Sequence, residues 1–332
     1  MAALYITAAS VALVENGKIA WSRTFGVGLE RKPIYQAASL SKFVAAIVAL
    51  RLVQDGVLSL DAPVDDKLGV WKSARPPLTD GRPVTLRWLL SMRAGVNVPG
   101  FGGYAIGDSL PTLAQILNGT PPANSPRVQV VTPPGERYAY SGGGYEIVEA
   151  LIADATGKPL ADVAEERVFE PLGMTDSIFA ARLPPALASR VATGHISDGK
   201  ELPGGWRLMP ELAAAGLWST TDDLARLLVA VSAGYAGRPG ALLGRAIVTE
   251  MLTPQGGGPY GLGAAVAGTG ADVVLMKRGQ DVGYQGYLIL FPAHGNGMVV
   301  MTGSDNGSTL SEALIRRAGE VYGWPSLGRL ED

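Results

Sequence analysis

The stretch from Leu40 to Leu50 constrains the fold most strongly, because it is apolar around nearly its whole circumference. It reads Leu-Ser-Lys-Phe-Val-Ala-Ala-Ile-Val-Ala-Leu, with Ser39 before it and Asp55-Gly56 a turn beyond it. A helix with apolar residues on every side lies in the protein interior. We therefore predict an interior helix that begins near Ser39 and ends at Asp55-Gly56, where glycine takes the left-handed cap position.

Ser39 and Lys42 lie three residues apart at the start of this helix. That spacing places both side chains on one helix face, about 60° apart and one turn above each other. A hydroxyl beside an ammonium is a way to build a nucleophile without histidine. The alternative is an N-cap serine followed by a solvated lysine, since S-x-x-K occurs by chance in many helices.

The two ends of the chain read as strands and its middle reads as helices. Asn16-Gly17 is a favoured two-residue turn between strand patterns that continue to Gly28, and short β runs separated by glycine turns return after Gly240. We predict an α/β sheet domain from 1–60 and 240–332 and a helical domain from 61–239, with the active site in the cleft between them. The last helix is predicted from Thr309 to Tyr322.

Composition excludes several kinds of chemistry. The chain has no cysteine, so thiol catalysis, disulfides and cysteine metal sites are excluded. Its two histidines, His195 and His294, lack metal-ligand spacing, so we predict no metal and no cofactor. The net charge is −2, without any block of like charges, which gives no reason to expect nucleic acid or an anionic membrane as a partner.

The first ten residues are apolar and carry no basic segment, which argues against a signal peptide. No apolar run reaches the roughly 20 residues of a membrane-spanning helix. We predict a cytoplasmic protein; the alternative is a periplasmic protein whose signal has been removed.

Two further segments contain residues suited to catalysis. Tyr140 is followed by Ser-Gly-Gly-Gly at the entrance of a helix predicted from Tyr145 to Ala155, where backbone without side chains can approach a ligand. Lys277-Arg278-Gly279 stands at the predicted end of a strand. Taken singly, the first is equally a pair of core aromatics around a glycine turn, and the second an ordinary exposed strand end.

Taken in order, the three segments resemble the serine hydrolases related to class C β-lactamases. That group includes family VIII carboxylesterases, D-amino-acid peptidases and low-molecular-weight penicillin-binding proteins, with S-x-x-K, Y-x-N and K-T-G or H-x-G motifs in this order. Further segments that are similar to family landmarks are Pro63-Val64, Val84-Thr85-Leu86-Arg87, Pro133-Pro134-Gly135, Glu170-Pro171-Leu172-Gly173-Met174, Gly216-Leu217-Trp218-Ser219-Thr220 and Tyr260-Gly261-Leu262-Gly263. The resemblance implies a β-lactamase-like fold: an antiparallel sheet flanked by helices, built from both termini, with a mostly helical insertion.

The resemblance also implies catalytic roles for four residues. Ser39 would be the acylated nucleophile and Lys42 its hydrogen-bonded activator. Tyr140 would be the general base and acid, with its phenolate form stabilised by the nearby ammonium groups of Lys42 and Lys277. Lys277 would complete the cationic side of the site and be available to a substrate carboxylate.

The implied oxyanion hole consists of backbone N–H groups. They belong to Ser39, helped by the helix N-terminus, and to Gln280, and such donors contribute about 3 kcal/mol each to the transition state. Gly279, Gly142 and Arg278 complete the predicted oxyanion and substrate-binding set.

Two departures from the family pattern bear on the substrate. Gly142 stands where β-lactamases have the asparagine that holds the substrate amide and orients the lysine, which argues against efficient β-lactam hydrolysis. Lys277 stands where many esterases have histidine, which favours substrates with a carboxylate.

Our first hypothesis is a carboxylesterase that hydrolyses short-chain esters through a Ser39 acyl-enzyme, with weak β-lactam hydrolysis. One alternative is a D-amino-acid peptidase, amidase or β-lactamase, and another is a penicillin-binding or scaffold relative without turnover. The predicted partner is a small ester or amide, and the sequence leaves the oligomeric state open.

Other hydrolase signatures do not fit the chain. Gly107-Asp108-Ser109-Leu110 spells a GDSL motif, but neither histidine has an aspartate three residues before it. Ser304-Asp305-Asn306 spells a class A β-lactamase motif, but it follows Lys277, whereas in those enzymes it precedes the lysine motif. No G-x-S-x-G elbow occurs, so an α/β-hydrolase triad is not supported. We predict a turn and helix start at the first motif and a strand end and turn at the second. For His195 we predict a loop position on the surface; the alternative is a place lining the cleft.

Overall fold

The computed structural model describes residues 1–26, 32–69, 71–72 and 80–325. The predicted strand end at Val27-Gly28 lies outside these residues. The strands are β1 (Ala8–Glu15), β2 (Lys18–Gly26), β3 (Tyr35–Gln36), β4 (Ile178–Phe179), β5 (Leu217–Ser219), β6 (Ala265–Ala267), β7 (Val274–Asp281), β8 (Tyr284–Phe291) and β9 (Asn296–Thr302). The α-helices are α1 (Leu40–Gln54), α2 (Leu86–Leu90), α3 (Leu113–Asn118), α4 (Gly142–Thr156), α5 (Leu160–Ala164), α6 (Glu170–Leu172), α7 (Pro185–Ala188), α8 (Leu212–Ala215), α9 (Thr221–Tyr235), α10 (Arg245–Met251) and α11 (Gly307–Tyr322).

The main sheet is antiparallel and joins the two ends of the chain. Its strand order is β2-β1-β9-β8-β7-β6, and β1 pairs with β9 so that Val11 lies opposite Val300. The hairpin between β1 and β2 closes at Asn16-Gly17, with Glu15 opposite Lys18. The predicted antiparallel sheet with flanking helices is therefore confirmed; the assignment of domain boundaries stays a prediction.

Side chains alternate between the two faces of this sheet, as the strand period requires. Tyr287, Ile289 and Phe291 of β8 lie on one face, in a cluster that includes Ile315 of α11. Leu288 and Leu290 project to the opposite face and join the larger core that contains α1 and α9. The sheet is therefore covered on both faces.

Helix α1 is the interior helix that its composition predicts. Residues Leu40 to Leu50 are buried, and the helix packs against β7 and β8 on one side and against α4 and α8 on the other. It ends at Asp55, and Gly56 follows with φ of +74°. The sheet and the helical region therefore meet at α1, and the Ser39 end of this helix is held from both sides.

Several local predictions were wrong. The segment Lys277-Arg278-Gly279 lies inside β7 and not at a strand end, because β7 and β8 pair as far as Asp281 and Tyr284. Helix α4 begins at Gly142, three residues before the predicted start, since the side chain of Ser141 caps it.

The predicted position of His195 was also wrong. Its side chain is buried instead of lying on the surface, and its Nδ1 lies 2.9 Å from the carbonyl oxygen of Thr193 and 3.1 Å from Oγ1 of Thr7.

No helix within the described ranges combines the length and the apolar character needed to cross a membrane.

Candidate active site

The turn before α1 sets the position of Ser39. Ala38 has φ of +50°, a left-handed conformation that costs a residue with a Cβ about 1–3 kcal/mol and that clusters at functional sites. The neighbouring backbone is fixed, since Ala37 N–H donates to the Leu217 carbonyl oxygen at 2.9 Å. Ser39 then occupies the N-cap position without using its hydroxyl to cap the helix. Its Oγ is thus available for a different contact.

That contact is made by Lys42, one helical turn later. Lys42 Nζ donates to Ser39 Oγ at 3.0 Å and to the carbonyl oxygen of Ala214 at 2.8 Å. The lysine is only 2% exposed. A buried ammonium with few polar partners is held in one place, because moving it away from them would leave the charge unsolvated.

Tyr140 reaches the same point from the start of α4. Ser141 Oγ accepts from Gly144 N–H at 2.9 Å and donates to the Asn97 carbonyl oxygen at 2.7 Å, which fixes the helix entrance directly after Tyr140. Gly143 N–H donates to the Val98 carbonyl oxygen at 2.9 Å. A side chain at Gly143 would meet Asn97 and Val128 at 3.0–3.2 Å, so the glycines let residues 97–99 lie against the first turn of α4.

The ring of Tyr140 lies close to the ammonium groups of two lysines. Nζ of Lys42 is 5.3 Å from the ring centroid and Nζ of Lys277 is 5.1 Å from it. Lys277 is buried, and its Nζ also donates to the hydroxyl of Tyr260 at 2.9 Å. A cation within about 6 Å of a ring centroid is attracted to the ring, so both lysines help to hold the Tyr140 ring in place.

Gly279 brings strand β7 against the start of α1. A Cβ at this position would lie 2.5 Å from the Ala37 carbonyl oxygen, 3.1 Å from the Ser39 nitrogen and 3.0 Å from the Leu40 nitrogen. Only glycine permits this approach. The backbone of β7 at Gly279 therefore lies beside the backbone N–H of Ser39.

The other predicted residues fall in different places. Gln280 is exposed and follows Gly279 in β7, so its side chain lies on the opposite face of the strand from the one that contacts Ser39. Arg278 projects from the opposite face of β7, where its guanidinium pairs with Glu312 at 3.0 Å and lies 5.0 Å from the Tyr287 ring centroid. The structure therefore does not bring the Arg278 side chain to Ser39.

A cleft of about 410 Å³, a volume suited to a small ligand, lies at the end of β7 that carries Gln280 and Asp281. Its lining includes apolar, cationic and acidic side chains: Phe101, Gly102, Arg207, Met209, Gln280, Asp281, Val282 and Asp305. Phe101 also covers Gly142, because a Cβ on Gly142 would lie 3.0 Å from the Phe101 ring and 3.2 Å from the Pro99 carbonyl oxygen. An aromatic ring thus occupies the space beside Gly142, the position at which the resemblance leads us to expect an asparagine.

Sequence reasoning missed a set of buried carboxyl groups behind the lysine. Glu146, Glu149 and Glu211 are 0%, 7% and 0% exposed. Burial raises the pKa of Glu149 and of Glu211 to about 7. A detectable signal was present, since Glu146 and Glu149 interrupt an otherwise apolar helix at a spacing of three.

Two other members of the site were also missed. The hydroxyl of Tyr260 contacts Lys277, although the sequence shows only a Tyr-Gly-Leu-Gly segment there. Asp281 follows Lys277 and Gly279 on the same face of β7; burial raises its pKa to about 7, while the Lys42 ammonium acts in the opposite direction. Within the described part of the chain, no cluster of three or more acidic or histidine side chains has the geometry of a metal site.

Comparison with known proteins identifies the family. The Beta-lactamase family model matches residues 1–322, so the chain belongs to this family. Esterase EstB of Burkholderia gladioli is 29% identical in an alignment of 272 positions that covers 70% of this chain and 68% of the esterase. Penicillin-binding protein 4 of Amycolatopsis lactamdurans is 28% identical in an alignment of 198 positions that covers 58% of this chain and 48% of that protein.

A solved structure supports the same assignment. The octameric penicillin-binding protein homologue from Pyrococcus abyssi superimposes with a TM-score of 0.72 and 26% identity, covering 92% of this chain and 71% of that chain. The predicted β-lactamase-like serine hydrolase is thus confirmed at the level of fold and family. This chain spans about two thirds of the esterase and about half of penicillin-binding protein 4.

The close approach at Gly279 gives a testable prediction. Gly279→Ala places a methyl group against the backbone of Ala37 and Ser39, so β7 moves away from the nucleophile. We expect ester hydrolysis to fall about 100-fold, as for a misplaced or lost oxyanion donor, with a smaller effect on thermal stability. The matched control is Gly100→Ala, since a Cβ there meets nothing within 4 Å. Equal activity of the two variants would contradict the assignment.

The buried carboxyls predict that stability depends on pH. The folded-state pKa of Glu211, about 7, lies above the ordinary glutamate value of 4.5, so between these values the folded state keeps a proton that the unfolded state loses. The free energy of unfolding should therefore fall as pH rises from 5 to 8. Glu211→Gln should reduce that fall by up to about 3 kcal/mol.

Urea unfolding at pH 5 and pH 8 measures this dependence, with the exposed Glu136→Gln as the control variant. A Glu211→Gln protein that keeps the full pH dependence would show that Glu211 is not its source.

Proposed function

We propose that this protein is a carboxylesterase that hydrolyses short-chain esters through an acyl-enzyme on Ser39. One observation carries the proposal: Lys42 Nζ lies 3.0 Å from Ser39 Oγ, and the Nζ atoms of Lys42 and Lys277 lie 5.3 and 5.1 Å from the centroid of the Tyr140 ring. These groups supply a nucleophile, a proton acceptor and the positive charge that makes the acceptor effective. EstB supports the ester as the substrate class, because it is an esterase with similar sequence over most of this chain.

In the acylation step, Ser39 Oγ attacks the carbonyl carbon of the ester and its proton passes to the phenolate of Tyr140. The negative oxygen of the tetrahedral intermediate is held by the backbone N–H groups of Ser39 and Gln280. The bond between the carbonyl carbon and the alcohol oxygen then breaks. Tyr140 returns the proton to that oxygen, so the alcohol leaves neutral and the acyl group stays on Ser39.

Deacylation repeats the sequence with water. Tyr140 takes a proton from a water molecule that attacks the acyl carbon, and Ser39 Oγ leaves and regains its proton. The product is the carboxylic acid. The ammonium groups of Lys42 and Lys277 stabilise the anionic tyrosine before each proton transfer.

The surroundings of Gly142 favour esters over β-lactams and amides. Gly142 offers no side chain to hold a substrate amide, and the Phe101 ring fills the adjacent space. An ester has no N–H group that needs a hydrogen-bond acceptor, and its alcohol is a better leaving group than an amine. The apolar side chains of Phe101 and Met209 line the cleft and suit a short acyl chain.

The second candidate is a penicillin-binding relative that acylates without turnover. It is favoured by the similarity to penicillin-binding protein 4 and by the lysine in the third motif. The two functions differ in the fate of the acyl group. Incubation with benzylpenicillin followed by intact-mass measurement distinguishes them: a stable adduct without ester turnover supports the binding protein, and ester turnover supports the esterase.

The proposed roles predict the effect of three substitutions. With p-nitrophenyl esters from acetate to octanoate, Ser39→Ala should abolish turnover, and Lys42→Ala should reduce kcat by about 1,000-fold or more. Tyr140→Phe should reduce kcat by about 100-fold or more while KM changes little, because the phenol acts only in proton transfer. Turnover by Ser39→Ala equal to that of the wild type would overturn the proposal.

The position of Phe101 predicts that asparagine cannot simply be restored. Gly142→Asn alone should lower ester hydrolysis, because its side chain meets the Phe101 ring, and should not raise hydrolysis of a chromogenic cephalosporin. The double variant Gly142→Asn, Phe101→Ala opens the space, and its cephalosporin hydrolysis should exceed that of either single variant. Phe101→Ala is the matched control. If Gly142→Asn alone raised cephalosporin hydrolysis as much as the double variant does, the Phe101 ring would not be blocking the space beside residue 142.

A further inference from the structure

The turn formed by α8 is held by side chains from two different helices. Ala213 N–H donates to Glu149 Oε2 at 2.9 Å and Ala214 N–H donates to Glu146 Oε1 at 3.1 Å, both from α4. From α1, Ser41 Oγ accepts from Leu217 N–H at 3.0 Å. The backbone of 213–217 is thus anchored at three points, and none of these anchors is itself a predicted catalytic group.

This turn carries the second acceptor of Lys42. The carbonyl oxygen of Ala214 accepts from Lys42 Nζ at 2.8 Å, while the N–H of the same residue donates to Glu146. Both contacts involve one short helix of four residues, so a shift of its backbone moves the carbonyl oxygen as well. The position of the ammonium relative to Ser39 Oγ therefore depends on Glu146.

We propose that Glu146 is a positioning residue: by accepting from Ala214 N–H it fixes the carbonyl that holds the Lys42 ammonium against Ser39. The inference rests on the proposed function in that Lys42 is taken to activate Ser39. Glu146 acts through an acceptor oxygen and does not touch the substrate. Its place on α4, four residues after Gly142, puts it on the same helix face as the residue that lacks the family's asparagine.

The surroundings of Glu146 favour its neutral form. It is 0% exposed, and burial, with Glu149 and Glu211 nearby, raises the pKa of its carboxyl well above the usual range, against the opposing effect of Lys42. A neutral carboxyl still has a carbonyl oxygen that accepts from Ala214 N–H, and it does not compete with Ser39 for a proton of Lys42. The amide of glutamine has the same shape and the same acceptor oxygen.

These properties define a pair of substitutions with opposite expected results. Glu146→Gln keeps the reach and the acceptor and loses the ionisable group. Glu146→Asp keeps the ionisable group but is shorter by one methylene, so its oxygen no longer reaches Ala214 N–H. If Glu146 acts through the side-chain oxygen that accepts from Ala214 N–H, Glu146→Gln keeps the reactivity of Ser39 and Glu146→Asp loses it.

The readout is the reactivity of Ser39 itself. A fluorophosphonate probe forms a bond between Ser39 Oγ and phosphorus, fluoride leaves, and the hydroxyl proton passes to the neighbouring base, so its rate reports nucleophile activation without any choice of ester. Intact-mass measurement over time gives the second-order rate constant. We expect Glu146→Asp to react about 10- to 100-fold more slowly than the wild type and Glu146→Gln to stay within about threefold. With esters, the loss should appear in kcat and leave KM nearly unchanged.

A matched control removes a buried carboxylate elsewhere. Asp223 is 1% exposed and accepts from Asp176 N–H and Ser177 Oγ, both at 2.9 Å. Asp223→Ala should lower the melting temperature while the folded protein keeps the wild-type labelling rate. An equal loss of labelling in Asp223→Ala would overturn the assignment, as would wild-type labelling in Glu146→Asp or a loss in Glu146→Gln equal to that in Glu146→Asp.

The same measurement separates this inference from the proposed function. If the wild type reacts with the probe at Ser39 but hydrolyses no ester, the esterase proposal fails while the comparison of Gln with Asp still tests Glu146. If esters are hydrolysed and Glu146→Asp labels like the wild type, the positioning role fails and the esterase proposal stands.

Discussion

The buried ammonium of Lys42 is the constraint on which the rest of the site depends. A charge in the protein interior is tolerated only when polar partners surround it, and here a hydroxyl and a backbone carbonyl lie within 3.0 Å. Helix α1 supplies the burial, since its residues are apolar on every side. Helix α8 supplies the carbonyl, and the carboxyls of α4 hold α8. Three separate segments of the chain thus converge on one nitrogen.

The same constraint explains how the sheet takes part. Strand β7 has to reach the start of α1 closely enough for its backbone to face Ser39, and Gly279 permits this approach. The strand period then places Lys277 on the same face, where its ammonium reaches Tyr140 and Tyr260. Arg278 necessarily falls on the other face. The alternation of side chains along β7 therefore places the Lys277 ammonium in the site and the Arg278 side chain on the opposite face of the sheet.

The sequence predicted much of this arrangement but not all of it. The apolar run after Ser39, the glycine turns and the order of the three motifs were enough for the fold and for the grouping of Ser39, Lys42, Tyr140 and Lys277. The start of α4 was missed because glycine is a poor helix former, whereas the Ser141 cap compensates at the first turn. The carbonyl of Ala214 was not predictable, since every residue has one and only the folded chain brings this one to Lys42.

All of these roles depend on ester hydrolysis proceeding through a covalent acyl group on Ser39. Rapid quenching of the wild-type protein with p-nitrophenyl butyrate, followed by peptide mapping by mass spectrometry, detects such a group. We expect one butyryl group on the peptide that contains Ser39, formed at least as fast as steady-state turnover. Turnover without any acyl group on that peptide, or with the acyl group on another residue, would contradict it.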